Sequence, residues 1–83
     1  MNLPERPEIG IYKTKNGYIV EVFALFTEYW GMHGKYLTGP LKNNIDVWIE
    51  KSLNSWVCAN NPTIEGFSIV ERIDKNKFPE YFL

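Results

Sequence analysis

The sequence predicts a small α+β domain in which an antiparallel sheet packs against one amphipathic helix. An Asn-Gly pair between two β-rich runs indicates a hairpin, and a helical spacing of apolar residues follows it. The 83 residues allow one domain, 1–83, with the order β-β-β-α-β.

The first hairpin is predicted from residues 9–26. Residues 1–8 hold two prolines and no periodicity, which is typical of an extended arm. The runs 9–15 and 18–26 then flank Asn16-Gly17, a pair suited to a two-residue type I′ turn. Such a turn sets Ile11 opposite Val22, with Lys13 opposite Val20 and Lys15 opposite Tyr18.

A third strand is predicted after a glycine-rich turn. The second strand extends to about Tyr29, residues 31–34 (Gly-Met-His-Gly) are interpreted as a turn, and residues 35–38 form a short strand before Gly39-Pro40.

The predicted helix begins at Asn43 or Asn44, where an amide side chain can cap it, and ends before Asn60. With Asn43 as the cap, Asp46 stands at the third helical position, where a carboxylate suits the helix dipole. One face then presents the apolar residues Ile45, Trp48, Ile49, Leu53 and Trp56.

The last strand is predicted over residues 67–73, beside the first or the third strand, with a turn at 74–77 and an apolar tail at 78–83.

Composition limits the class of protein. Nine basic residues against ten acidic ones give a net charge of -1, without the basic excess typical of nucleic-acid binding. One Cys and one His allow neither an internal disulfide nor an ordinary structural zinc site, and we expect no metal or cofactor. The N-terminus does not resemble a signal peptide and no apolar run is long enough for a membrane span, so we expect a cytoplasmic protein.

The sequence offers little catalytic chemistry. Cys58 and His33 are the one thiol–imidazole pair, but Cys58 falls near the end of the predicted helix, where the dipole disfavours a thiolate. Phosphate-binding glycine motifs are absent from the sequence. We therefore expect a protein that is not an enzyme.

The second strand has more apolar surface than one helix can cover. Val20 and Val22 share one face, while Phe23 and Leu25 lie on the other. The second face needs another cover, either the tail 78–83 or another molecule. We therefore expect a non-catalytic protein-binding module, with a two-fold homodimer as a compatible state. The predicted partner-binding residues are Tyr12, Phe23, Leu25, Tyr29, Trp30 and His33.

Codon usage suggests a concrete version of this function. Ile, Lys and Asn make up 23 of the 83 residues, and their codons are rich in A and T. This bias is typical of low-GC bacteria, phages and plasmids. A small inhibitor or antagonist from a phage or other mobile element, which occludes a partner protein, fits the length and the bias.

The alternative function is binding of DNA, largely independent of its sequence, by the face of the three-stranded sheet. Residues 10–57 resemble, in the predicted order of three strands and a helix, the plant AP2 domain and the N-terminal arm-binding domain of phage integrases. Residues 10–18 and the Gly34-Lys35…Gly39 spacing carry this likeness. The resemblance implies contact with the major groove, although the corresponding face here carries Ile19, Glu21, Phe23 and Leu25 instead of Arg and Lys. The basic residues available for it are Lys13, Lys15, Lys35 and Lys42.

Overall fold

The computed structural model is a closed antiparallel barrel of six strands. It describes residues 3–26, 31–52, 54–74, 76 and 79–82. The strands are β1 (Gly10–Thr14), β2 (Ile19–Phe26), β3 (Gly31–Tyr36), β4 (Ile45–Ser52), β5 (Ser55–Cys58) and β6 (Ile69–Arg72). Two short 3-10 turns span Glu65–Phe67 and Pro79–Phe82, and the described residues include no α-helix. The α+β prediction is therefore wrong.

The strands follow one another around the barrel in chain order. Each strand pairs with the next, and β6 pairs with β1 to close the barrel. The last strand thus lies beside the first, one of the two expected positions. Closure is weakest between β5 and β6, where Trp56 opposite Ile69 is the one pair among the described residues.

The segment predicted as a helix is the β4–β5 hairpin, in which Ser52 pairs with Ser55. Along β4, Ile45, Val47 and Ile49 are half-buried or exposed, and they alternate with Asp46, Trp48 and Glu50. An alternation of every second residue is typical of a strand. Taken together, the apolar residues of the two faces have the spacing of a helical stripe, which explains why the sequence predicts a helix here. The helical interpretation is wrong, because the segment forms two strands. Leu53, which belonged to that stripe, lies outside the described residues.

The predicted helix cap is part of a turn. Asn43 has a positive φ of 75° in the loop between β3 and β4, and its N–H donates to the carbonyl of Tyr36 at 2.8 Å. Asparagine tolerates this left-handed conformation better than most residues, so here it serves a turn instead of a helix N-terminus.

The first hairpin forms as predicted but is shifted by one residue. Ile11 lies opposite Glu21 and Tyr12 opposite Val20. The turn contains three residues, 15–17, closed by the N–H of Thr14 on the carbonyl of Tyr18 at 2.8 Å. A type I′ turn would require a positive φ at both Asn16 and Gly17. Gly17 has a φ of 93°, but Asn16 is not among the residues with positive φ. A shift of one residue reverses the faces, so Tyr12 joins Val20 and Val22 in the core.

The residues predicted as a glycine turn form β3 instead. Gly34 lies on the inner face, where an added Cβ would approach both Trp48 and Val20 to 2.7 Å. Glycine is needed at this position because a neighbouring indole occupies the space of a side chain. Gly34 therefore reflects packing in a strand, not a turn.

Aromatic residues fill the inside of the barrel. Tyr36 and Trp48 pack edge to face with ring centroids 5.4 Å apart, and Tyr12 lies 4.8 Å from Trp56. The indole N–H of Trp48 donates to the carbonyl of Phe67 at 2.8 Å. Large aromatic side chains bury enough surface to stabilise a chain this small without a disulfide.

The N-terminal arm packs against the barrel. Leu3 belongs to the core cluster, and the carbonyl of Glu8 accepts a 2.7 Å hydrogen bond from the Tyr12 hydroxyl. The Glu8 carboxylate also pairs with Arg72 at 2.8 Å. These contacts join the arm to both β1 and β6.

We predict that Gly34→Ala lowers the free energy of unfolding by about 1–3 kcal/mol, because the new methyl group overlaps two fully buried side chains. Urea denaturation of the purified protein measures the effect. Gly10→Ala is the matched control, since its Cβ would meet no atom closer than 3.5 Å. Equal stability of the Gly34→Ala variant and wild type would contradict the packing described here.

Candidate functional site

The outer faces of β2 to β5 carry a continuous apolar surface, here called the outer strip. Cross-strand partners share a face, so the register places His33 between Ala24 and Val47, and Ile49 between Gly31 and Val57. The members of the outer strip are Phe23, Ala24, Phe26, His33, Val47, Ile49 and Val57. Among the large residues of the outer strip, Phe23 is the most exposed, with 43% of its surface open to solvent.

A β-bulge in β2 shapes the aromatic part of the outer strip. The register shifts between Val22, which lies opposite Gly34, and Ala24, which lies opposite His33. Phe23 is therefore an extra residue on β2. The bulge brings Phe23 and Ala24 together beside His33.

Three rings form the centre of this surface. His33 lies nearly parallel to Phe23, with an interplanar angle of 19° and a centroid distance of 6.2 Å. Phe26 meets the same imidazole edge to face, with centroids 4.1 Å apart. The imidazole therefore has aromatic contacts on two sides.

Charged residues border the outer strip. Glu21 lies opposite Lys35 in the neighbouring row, and Lys35 in turn lies opposite Ile45. Lys51 is exposed near the end of β4. An apolar centre with a polar margin is the usual composition of a protein interface.

The predicted partner-binding residues do not all meet on this surface. Phe23 and His33 lie together at its centre. Leu25 is 41% exposed but lies opposite the fully buried Met32, so it belongs to the inner face at one end of the barrel. Tyr12 is fully buried in the core because of the hairpin register, which removes it from the surface. Tyr29 and Trp30 lie outside the described residues.

Sequence reasoning missed the contribution of β4 and β5. The alternation of Ile45, Val47 and Ile49 was available as a signal for an outward apolar face. The even-numbered positions obscured it, because Asp46 and Glu50 lie on the inner face with Trp48, where polar residues are not expected.

Three of the four lysines predicted for DNA contact lie beside or opposite carboxylates. Lys15 forms a 2.8 Å ion pair with Glu65. Lys13 lies opposite Glu71, and Lys35 lies opposite Glu21. Lys42 is exposed in the loop between β3 and β4. The carboxylates reduce the positive potential that phosphate binding requires.

A groove of about 520 Å³ runs along the outside of the barrel beside the β5–β6 closure. Val57 and Val70 line it from the two strands, and Pro62 belongs to the connection between them. Lys15 and Glu65 also line the groove. Because Val57 belongs to both surfaces, the groove continues the outer strip.

A buried polar cluster lies inside the barrel around Asp46. Its carboxylate accepts hydrogen bonds from the Tyr36 hydroxyl at 3.2 Å, the Cys58 thiol at 3.3 Å and the side-chain amide of Asn60. The backbone N–H of Val47 donates to it at 3.1 Å. These donors compensate the cost of burying a carboxylate.

A less satisfied polar pair lies farther along the same face. Glu50 lies opposite Trp56. The Oε2 atom of Glu50 and the indole N–H of Trp56 are buried and have no hydrogen-bond partner among the described residues. Buried polar groups without partners lower the free energy of unfolding, because they lose their hydrogen bonds to water.

Cys58 and His33 do not form a thiol–imidazole pair. Cys58 lies opposite Trp48 on the inner face, whereas His33 lies opposite Val47 on the outer face. Burial raises the pKa of the Cys58 thiol, and the Asp46 carboxylate raises it further. The thiol is therefore held in its neutral, weakly nucleophilic form.

Protein-family models, curated proteins and solved structures were compared with the chain, and none of them matches it. In the described part of the chain, no helix has the length and apolar character needed to cross a membrane. The same residues include no group of three or more potential metal ligands among His, Cys, Asp and Glu.

We predict that the protein loses stability as the pH rises above about 9. Burial raises the pKa of Cys58 above its ordinary value of 9.0, that of Tyr12 to about 12, and that of Tyr36 above 10.0. A group with a raised pKa in the folded state contributes its full stability below its unfolded pKa. This contribution is lost as the pH rises, because the unfolded chain releases the proton first.

Thermal unfolding between pH 7 and pH 11 measures this effect. The loss should begin near pH 9 with the thiol and steepen near pH 10 with the tyrosines. In Cys58→Ala the loss should begin nearer pH 10, and in Tyr36→Phe it should be shallower above pH 10. A melting temperature that stays constant up to pH 11 would disprove the prediction.

Proposed function

We propose that the protein is a non-catalytic protein-binding module whose outer strip docks on a partner protein. The observation that carries this proposal is the continuity of the apolar surface over four strands, with Phe23 exposed at its aromatic centre. The other members of the outer strip are half-buried. A small domain that leaves such a surface partly open to water usually uses it for an interaction. Aromatic side chains supply much of the energy at protein interfaces.

The closed barrel favours recognition through side chains. Each strand has a neighbour on both sides, so the main chain is largely engaged within the barrel. Tyr12, Tyr36, Trp48 and Trp56 fill the interior. Among the described residues, the outer strip and the groove beside it offer apolar side chains to a partner.

The concrete form of the proposal is a small cytoplasmic antagonist from a phage or other mobile element, which acts by occluding its partner. The Ile, Lys and Asn content of the chain supports this form. A two-fold homodimer through the outer strip is the competing use of the same surface. DNA binding is less favoured, since three of the four candidate lysines lie beside or opposite carboxylates.

We predict that Phe23→Glu and Ile49→Glu each weaken partner binding by at least about tenfold, because each places a carboxylate within an apolar contact surface. The tagged protein is used to capture partners from a nuclease-treated lysate of the source cell, and the affinity for the captured protein is then measured by calorimetry with purified components. Ile9→Glu is the matched control, since Ile9 is 60% exposed and is not part of the outer strip.

The outcomes separate the competing functions. Unchanged affinity of both variants, with the fold intact by circular dichroism, would disprove the docking surface. Sedimentation that shows wild-type dimers and variant monomers would assign the outer strip to self-association. Binding of duplex DNA that weakens steeply with salt would support the alternative function.

A further inference from the structure

We propose that Asn16 is a site of spontaneous covalent modification, at which the side-chain amide is lost and the residue becomes aspartate or isoaspartate. Asn16-Gly17 is the one Asn-Gly pair in the sequence. Both residues are exposed in the turn between β1 and β2. Glycine favours this reaction because it has no Cβ beside the main-chain nitrogen that attacks the amide. The inference does not depend on the outer strip.

The reaction needs only water as a co-reactant. The main-chain nitrogen of Gly17 forms a bond with Cγ of Asn16, and the bond from Cγ to Nδ2 breaks. The proton that the nitrogen loses leaves with the amide group as ammonia, and a five-membered imide ring remains. Water then opens the ring at one of its two carbonyl groups, which gives aspartate or isoaspartate.

The attacking nitrogen is accessible in the folded protein. A Cβ added at Gly17 would meet no atom within 4 Å, so the space around this residue is open. The N–H of Gly17 donates to the carbonyl of Thr14 at 3.0 Å. Because residues 15–17 are exposed, local opening of the turn replaces this bond with water and frees the nitrogen. The fold therefore slows the attack relative to an unfolded chain but does not bury the nitrogen.

The amide of Asn16 is held beside a hydrogen-bond donor. The Thr14 hydroxyl donates to Oδ1 of Asn16 at 2.5 Å, and it accepts the N–H of Tyr18 at 2.9 Å, which orients it. Negative charge develops on Oδ1 during the attack, and a donor already in place stabilises that charge. The amide also lies against Gly66, where an added Cβ would approach Nδ2 to 3.3 Å. The side chain is thus fixed with Oδ1 and the Gly17 nitrogen both in contact with Thr14.

Isoaspartate would alter the turn that sets the register of the barrel. It makes the main chain one carbon longer between residue 16 and Gly17. The N–H of Asn16 donates to the carbonyl of Gly66 at 3.0 Å, and the N–H of Thr14 donates to the carbonyl of Tyr18 at 2.8 Å. A longer main chain cannot keep both bonds in their present geometry. The modification therefore weakens the contact of the first hairpin with the connection before β6.

The test follows the mass of the purified protein during incubation at about pH 8 and about 37 °C, where loss of an amide raises the mass by about 1 Da. Digestion with trypsin releases residues 16–35, and fragmentation by electron transfer distinguishes isoaspartate from aspartate. We expect Asn16 to react at least about tenfold faster than any other asparagine, because no other asparagine precedes a glycine.

Two variants and a peptide serve as controls. Asn16→Gln keeps an amide but would need a larger ring, so the mass increase should disappear. Gly17→Ala places a methyl group beside the nitrogen and should slow the reaction at least about tenfold. A synthetic peptide of residues 13–19 gives the rate without the fold. Complete reaction of the peptide with no product at Asn16 in the protein would overturn the proposal, as would an equal mass increase in Asn16→Gln.

The effect on the barrel is measured by thermal unfolding of the separated products. The isoaspartate form should melt about 4–8 °C below wild type, because the longer main chain disturbs the turn. Asn16→Asp carries the same charge on an ordinary main chain and should melt within about 2 °C of wild type. Equal melting of the isoaspartate form and wild type would overturn the inferred effect on the turn.

Discussion

The hydrogen bond from the N–H of Thr14 to the carbonyl of Tyr18 sets the arrangement on which the barrel depends. It closes a turn of three residues, whereas a turn of two would shift β2 by one position relative to β1. Because side chains alternate between faces, that shift would move Tyr12 from the core to the surface. The turn thus decides which apolar residues fill the barrel and which remain outside it.

Close packing of the inner face explains the glycines and polar residues along the strands. Trp48 occupies the space beside Gly34, and Asp46 is tolerated inside because four donors surround its carboxylate. The burial of these groups leaves the alternating residues Val47 and Ile49 facing outward. The apolar outer strip is consequently a product of the same register that builds the core.

The apolar surface has a different origin in a barrel than in the predicted sheet with one helix. With one helix over the sheet, the excess would lie on the face opposite that helix. In a barrel the sheet covers its own inner face, and the excess therefore lies on the outside, across β2 to β5. The bulge at Phe23 concentrates aromatic rings around His33.

The sequence by itself left the last strand beside either the first or the third strand, and it determined the first hairpin and the apolar excess around Phe23 and His33. These features depend on local turn residues and on short alternating patterns, which act within a few positions of the chain. Only the tertiary structure decided that residues 45–58 form a hairpin, that Tyr12 is buried, and that Val47, Ile49 and Val57 complete the surface. The reason is that both faces of β4 carry apolar residues while Asp46 and Glu50 face inward. The choice between helix and strand there depends on partners that are distant in sequence, namely Gly34 beside Trp48 and Tyr36 beside Asp46.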